Sequence, residues 1–275
     1  QAGESDCESL PVLGGVFFRS YDGTTDYSDK SYPATVSDFH LDKYEVTVRR
    51  FRRFVGAVRA GWRPVRGTGE HPRVAGSGWE GDHTPWSFDA AGVATNLRCD
   101  LMWQTYTDES GPGDRRPVNC VSWYDAFAFC AWDGGRLPTE AEWNYVAAGG
   151  SEQRVFSWSV PPSSTEIDDG RAVYCGGTCQ IQDVGARPRG VGRWEHADLA
   201  GNVWEWTLDW QNWTYVLPCR DCVDFQKSMW RAIRGGSFSS PTPAKDRPRT
   251  MRASDRAGAT PVYRDNSSGF RCARD

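Results

Sequence analysis

The sequence lacks features that mark several large classes of protein. Its 275 residues contain no long apolar run, so no membrane-spanning helix is expected. The net charge of −4 is too small to draw the chain to nucleic acid. A G-x-S-x-G nucleophile elbow is also missing, which argues against a hydrolase built on that motif.

The remaining composition is that of a globular chain rich in cysteine. Hydrophobic residues make up 39% and charged residues 25% of the sequence. Nine cysteines favour an oxidising compartment, so we predict a secreted, extracellular or cell-surface protein, with the periplasm as a variant. The first residues, QAGESDCES, are compatible with a mature N-terminus after signal cleavage. A cytosolic protein that uses its thiols for metal binding is the alternative.

Three helices are signalled by their caps. Thr47 is expected to begin the first, with arginines 49, 50, 52 and 53 on a solvated side. The apolar side of this helix contains Val48, Phe51, Phe54, Val55 and Val58. Ser122 with Asp125, and Thr139 with Glu142, predict the starts of the other two.

Strands and loops are expected elsewhere. The apolar run at 12–18 and the alternation at 39–48 predict strands. Residues 60–115 are rich in Gly, Pro and Trp, which favours long ordered loops with short strands. We expect no helix after residue 150, and an extended N-terminal arm over residues 1–10.

Six motifs then resemble one family in their order along the chain. They are FHLDKYEVTV at 39–48, RPVNCVSWYDA at 116–126, GRLPTEAEW at 135–143, DLAGNVWEW at 198–206, RGGSF at 234–238 and GFRC at 269–272. This set is similar to the formylglycine-generating enzyme, or sulfatase-modifying factor, family. The resemblance implies an α+β fold, the family's variant of the C-type lectin fold, with twisted antiparallel sheets and few helices in one domain over residues 1–275.

The family's copper site is incomplete in this sequence. Its enzymes oxidise a substrate cysteine to formylglycine with oxygen and a copper ion held by two cysteines that follow the RGGS motif. The matching positions are Ser240 and Lys245, neither of which supplies the soft thiolate that Cu(I) prefers. We therefore expect no copper and no formylglycine generation.

An iron centre has little support in the sequence. Another oxidative branch of the fold holds iron through histidines from a partner helical domain. This chain has only His40, His71, His83 and His196, and none are spaced as a pair on one helix face.

The family's structural calcium loop is present in the sequence. By resemblance its ligands are the side chains of Asp198 and Glu205 and the carbonyls of Gly201 and Val203. Calcium accepts such mixed oxygen ligands. The alternative is that both carboxylates only bind loop amides. A second family calcium site is doubtful because residues 171–177 read RAVYCGG.

Cysteine pairing is assigned partly by resemblance. The family implies a Cys130–Cys272 disulfide, and a second family disulfide is replaced by Ala147 and Ala253. For the rest we predict Cys99–Cys120, Cys175–Cys179 and Cys219–Cys222, which leaves Cys7 over. The last two pairs could instead form a four-cysteine zinc site.

The segment after RGGS lines the ligand groove in this fold. Ser240, Lys245, Arg247 and Arg249 are therefore the candidate groove residues, and the arginines could bind an anionic ligand. The alternative is that they pair internally, which we favour for Arg252 and Arg256. Tryptophan side chains could stack a carbohydrate or simply fill the core.

Two functions follow from these observations. The first is a non-catalytic module, stabilised by calcium and disulfides, that binds an unidentified ligand or builds an extracellular assembly, with Cys7 available for self-association. The second is an oxidoreductase of the same fold that uses a different metal or tailoring chemistry.

Overall fold

The structure, a computed structural model, describes residues 6–81, 90–241 and 249–275. The α-helices of these residues are α1 (Val48–Arg59), α2 (Ala90–Asn96), α3 (Trp123–Trp132) and α4 (Glu140–Ala147). The strands are β1 (Ser9–Val12), β2 (Gly15–Phe18), β3 (Pro33–Val36), β4 (Phe39–Asp42), β5 (Trp204–Trp210), β6 (Arg231–Arg234), β7 (Ala257–Ala259), β8 (Ser268–Gly269) and β9 (Ala273–Arg274). Short 3₁₀ turns lie between them, and no helix of the described residues is long and apolar enough to cross a membrane.

The strands form three small sheets of mixed order. β1, β4 and β9 make an antiparallel sheet in that order, so the two ends of the chain meet on β4. β2 pairs with β3 as a hairpin. The third sheet has the order β7-β6-β5-β8, and β8 runs parallel to β5. The fold is therefore of the α+β class, as the sequence predicts.

The predicted helix starts are confirmed. Ser122 accepts a hydrogen bond from Asp125 N, and the Asp125 carboxylate accepts one from Ser122 N. Thr139 and Glu142 form the same reciprocal box at the start of α4. The predicted apolar side of α1 is wholly buried against α3.

The prediction of a solvated arginine side on α1 is wrong for Arg50. This residue is buried and pairs with Asp42 at 2.8 Å and Asp133 at 2.7 Å. Its partners come from β4 and from the end of α3, which are distant in sequence. Helical periodicity alone therefore could not reveal that this arginine faces inward.

One other expectation needs correction. The segment 60–115 contains the short helix α2, whose Val93 is buried in the same core as α1, and it has no strand in its described part. Within the predicted arm over residues 1–10, residues 1–5 lie outside the described part, Asp6 is buried against Arg49 and Arg115, and β1 begins at Ser9. Ion pairs with residues far along the chain attach this segment to the fold.

Four disulfides join loops and helices. They are Cys99–Cys120, Cys130–Cys272, Cys175–Cys179 and Cys219–Cys222, which are the predicted pairs. Because both close pairs are oxidised, they do not form the alternative zinc site. The bond between α3 and the last strand region closes a separation of 142 residues, so it removes much unfolded-state freedom. Ala147 and Ala253, at the positions of the missing family disulfide, share one apolar cluster.

A buried ion pair fixes the start of α4. Arg136 donates to both oxygens of Glu142, each at 2.7 Å, and both residues are almost fully buried. Burial alone would raise the pKa of Glu142, but the Arg136 guanidinium lowers it below the usual range. The charge pair therefore stabilises the fold at every pH at which Glu142 is ionised in the unfolded chain.

We predict that Glu142→Gln lowers the free energy of unfolding by about 3 kcal/mol at pH 7, because the buried guanidinium of Arg136 loses its buried carboxylate partner and keeps only the more exposed Asp275, at 3.0 Å. Glutamine keeps the helix cap, so the loss reports the ion pair. Since the folded-state pKa is depressed, the difference from the wild type should shrink as pH falls below about 4.3, the unfolded value. Urea unfolding across that pH range measures this. Glu152→Gln, a half-exposed control, should change the free energy of unfolding by less than about 0.5 kcal/mol. A difference that persists unchanged at pH 3 would contradict the assignment.

Candidate functional site

The segment that follows β6 contains the candidate groove residue Ser240. Gly236 has a φ of +73°, and a Cβ there would lie 2.6 Å from Met251, so only glycine fits. This turn places Ser240 inside the fold, where its Oγ accepts hydrogen bonds from Ser237 N at 3.0 Å and Thr250 Oγ1 at 3.1 Å. Ser240 is thus buried, and its hydroxyl stabilises the turn.

The charged groove residues divide into two groups. Lys245 and Arg247 lie outside the described residues. Arg249 pairs with Asp26 at 2.6 Å. Arg252 pairs with Asp22, and Arg256 pairs with Glu140. These contacts agree with the internal role expected for both arginines. Each of these three described arginines therefore pairs with a carboxylate of the same chain.

The cysteines leave no pair of thiols to hold Cu(I). Eight of the nine are bonded in disulfides, and the ninth, Cys7, is exposed. The position of the first copper cysteine is the buried Ser240, whose hydroxyl braces the turn. The arrangement therefore lacks the soft ligand pair that the copper chemistry needs.

The predicted calcium loop runs into β5. Asp198, with a φ of +58°, accepts a hydrogen bond from Gly185 N at 2.6 Å. The two oxygens of Glu205 accept from Arg271 at 2.7 Å each, and Trp143 donates to the same carboxylate at 2.9 Å. Glu205 is therefore shared with the buried Arg271, which the sequence did not indicate.

Negative charge exceeds positive charge around this loop. Glu45 accepts from Asn202 and from Val203 N, which places a third carboxylate beside the loop. Burial raises the pKa of Asp198 to about 6 and, together with the charges of Asp198 and Glu205, raises that of Glu45. An added cation would balance this excess, so the donors fit a hard ion such as Ca²⁺. Among the described residues, no three His, Cys, Asp or Glu side chains form a ready metal cluster.

The histidines lie in separate places. His40 is exposed on β4 and His83 is outside the described residues. His71 is buried 3.3 Å from Glu142, and His196 is buried with Nε2 at 3.2 Å from Leu41 O. The described histidines thus form no shared metal site.

A pocket of about 350 Å³ opens between α3, β5, β6 and the loop before residue 81. Its walls include the aromatic side chains of Trp123, Tyr124, Phe127, Trp210 and Phe225. The charged residues of its described lining are Glu80, Lys227 and Arg231. This volume lies within the range of small-molecule sites, whose walls are mostly apolar with a few polar groups.

Arg231 is the buried cation of this pocket. Its guanidinium carbon lies 3.7 Å from the ring centres of both Trp123 and Trp210, so each flat face contacts an indole. Nη1 donates to Leu208 O at 2.8 Å, and Nε is buried without a hydrogen-bond partner among the described residues. No described carboxylate lies within ion-pair distance of Arg231. Burial consequently lowers its pKa.

Sequence reasoning missed this pocket. Trp123 follows the predicted helix start at Ser122, and Arg231 precedes the RGGS motif as one arginine among many. The signal was the number of tryptophans, 14, but no pattern tells a core indole from a pocket wall. The contact between α3 and β6 appears only when the chain is folded.

Comparisons with known proteins agree with the motifs. The sulfatase-modifying factor enzyme 1-like domain matches residues 3–275. This chain belongs to that family. It is 29% identical to the formylglycine-generating enzyme of Mus musculus over 97% of this chain and 74% of that protein. It is 30% identical to the inactive C-alpha-formylglycine-generating enzyme 2 of Mus musculus over 98% of this chain and 86% of that protein.

A solved structure has the same fold. PvdO from Pseudomonas aeruginosa matches with a TM-score of 0.67 at 20% identity, covering 99% of this chain and 100% of that one. The family variant of the C-type lectin fold expected from the motifs is thus confirmed. Members of the sulfatase-modifying factor family differ in activity, so fold alone does not assign one here.

Proposed function

We propose that this chain is a binding module of the sulfatase-modifying factor family that takes a small anionic ligand, and that it is not a copper oxidase. The observation that carries this proposal is the buried Arg231 in the aromatic pocket. A guanidinium stacked on both faces can still donate hydrogen bonds in its own plane. A carboxylate that enters the pocket would supply the charge partner that the described residues do not.

The lining favours a monoanion with a flat apolar body. Arg231 and Lys227 contribute two positive charges and Glu80 one negative charge, so the described lining carries a net charge of about +1. Indole and phenyl walls stack on an aromatic ring or pack against an aliphatic one. An aromatic carboxylic acid is the simplest ligand with both properties.

We predict that phenylacetate binds at least ~10-fold more tightly than phenylacetamide, because only the acid forms a charge-assisted bond with Arg231. Titration calorimetry measures both affinities. Arg231→Gln should remove the preference, whereas Arg53→Gln, on the exposed side of α1, should keep it.

A second variant keeps the test informative if Arg231→Gln does not fold. Lys227 is exposed, so Lys227→Gln should fold and weaken phenylacetate several-fold through the lost charge. Equal affinity for acid and amide in the wild type, or an undiminished preference in Arg231→Gln, would show that Arg231 only stabilises the fold.

The same proposal excludes formylglycine generation. A relative named inactive occurs among the similar proteins, and the two thiolate positions here are Ser240 and Lys245. We predict that a cysteine peptide from a sulfatase keeps its thiol when incubated with this protein, copper and oxygen, and an aldehyde-reactive hydrazide with mass spectrometry checks this. Mouse formylglycine-generating enzyme is the positive control. Aldehyde formation above the copper-only blank would favour the oxidoreductase alternative.

Calcium is part of this proposal as a structural ion. Asp198 and Glu205, with the carbonyls of Gly201 and Val203, would hold it, and it would balance the excess of buried carboxylate. Glu205 would share its charge between Arg271 and the ion.

We predict that EGTA lowers the thermal midpoint by several degrees relative to saturating Ca²⁺, since a site filled at ~100-fold above its Kd adds about 3 kcal/mol. Scanning calorimetry with and without the ion measures this. Asp198→Ala should abolish the shift, and Asp183→Ala, exposed on a neighbouring loop, should preserve it. An identical midpoint in EGTA and in calcium would rule the ion out.

We also propose that the protein is secreted or at the cell surface and that copies of it associate through Cys7. Four disulfides are compatible with a secreted or cell-surface protein. The exposed Cys7 near the start of the chain would permit a disulfide-linked pair of copies. Non-reducing electrophoresis of the native protein reports such a link directly.

A further inference from the structure

The Cys219–Cys222 disulfide is built into the edge of the β2–β3 hairpin. Thr35 N donates to Cys219 O at 3.0 Å, and Asp221 N donates to Thr35 O at 2.9 Å. The Asp221 carboxylate accepts hydrogen bonds from both Ser37 N and Ser37 Oγ at 2.7 Å. The four-residue Cys-Arg-Asp-Cys loop is therefore anchored by its own backbone, and it would stay in place if the S–S bond opened.

A buried arginine contacts one sulfur of this disulfide. Arg19 is 3% exposed, and its Nη1 lies 3.5 Å from Cys222 Sγ. Its Nη2 donates to Val216 O at 2.7 Å, and its Nε is buried without a hydrogen-bond partner among the described residues. The guanidinium carbon lies 4.5 Å from the centre of the Tyr215 ring.

The described residues place no carboxylate within ion-pair distance of Arg19. Burial therefore lowers the pKa of this guanidinium, and a nearby anion would relieve the cost. The anion that this position can acquire is a Cys222 thiolate, since cations next to a cysteine strongly favour its ionised form.

The other sulfur belongs to a residue on an open pocket. Cys219 lines a cavity of about 500 Å³ together with Ala34, Leu217 and Pro218. Val16 and Leu217 at its rim are 58% and 50% exposed. Cys219 itself is 7% exposed, so this cavity is the route by which a thiol would reach it, while Cys222 faces Arg19.

We propose that Cys219–Cys222 is a redox-active disulfide that exchanges with dithiols. A thiolate of the dithiol attacks Cys219 Sγ, a mixed disulfide forms, and the bond to Cys222 breaks. The electron pair goes to Cys222 Sγ, which leaves as a thiolate beside Arg19. The second thiol of the reductant then attacks the mixed disulfide and releases Cys219. The dithiol loses two electrons and two protons, one proton passing to Cys219 and the other to solvent. The protein disulfide is thereby reduced to a Cys219 thiol and a Cys222 thiolate.

This inference does not depend on ligand binding at Arg231. The two cavities share no lining residue, and Arg19, which contacts the disulfide, lines neither of them. Loss of phenylacetate binding would leave the disulfide exchange unaffected. An inert disulfide would equally leave the proposed binding function intact.

The experiment uses the folded protein and dithiothreitol as the reductant. Samples are quenched with a thiol-alkylating reagent over time, and peptide mapping reports each disulfide separately. We expect Cys219–Cys222 to open at least ~10-fold faster than Cys130–Cys272, which is fully buried and serves as the internal control. Arg19→Gln should slow this opening about tenfold because the leaving thiolate loses its cation, and Arg53→Gln should not.

Single-cysteine variants test the role of Arg19 without changing it. In Cys219→Ser, the remaining Cys222 thiol should ionise below its ordinary pKa of about 8.5, seen as alkylation that persists to lower pH. In Cys222→Ser, the Cys219 thiol should alkylate with an ordinary pH profile. Opening no faster than Cys130–Cys272, or equal profiles for the two variants, would overturn the proposal.

Discussion

Arg271 reaches from the last segment of the chain into the centre of the fold, where it makes a paired contact with Glu205. Both side chains are fully buried, and two N–H groups donate to the two carboxylate oxygens at 2.7 Å. The other guanidinium hydrogens bind the carbonyls of Asp42, Lys43 and Ala197. This contact therefore joins the end of β4, the loop at Ala197, β5 and the C-terminal segment. Trp143 connects α4 to the same point through its hydrogen bond to Glu205. A charge buried this completely must keep its partners, so the position of each segment is set by the others.

The same rule separates structural from functional arginines. Arg136 and Arg234 are also fully buried, and they pair with Glu142 and Glu140. In each case the charges are satisfied within the chain, so the pair explains its own burial. Arg231 and Arg19 differ because they have no carboxylate partner among the described residues, although they are also buried. One faces a cavity and the other a disulfide. Desolvation without a charge partner is costly, so these positions need a reason beyond packing.

The sequence was most informative where a few neighbouring residues determine the structure. Ser122 and Thr139 define helix starts because a cap requires only the next three residues. The pairing of Cys130 with Cys272 came from family resemblance, and its formation agrees with the fold. Arg50, α2 and the Arg231 pocket could not be predicted, since their partners are distant in sequence. A periodic pattern shows that a face is polar. It does not show whether another element brings carboxylates to that face, as β4 and the end of α3 do for Arg50.

This distribution of constraints explains how one fold can support different chemistry. The buried pairs around Arg271 and Arg136 lie between elements, so loops at the surface can change while the elements stay in register. At the copper position, Ser240 does not leave a gap, because Ser237 and Thr250 donate to its hydroxyl and brace the turn. The turn is therefore retained without the metal ligands. The short Cys175–Cys179 and Cys219–Cys222 links act on the loops instead, each closing fewer than six residues. Such short links fix local geometry while removing little entropy from the unfolded chain, and this is where a scaffold with a satisfied core can acquire a new site.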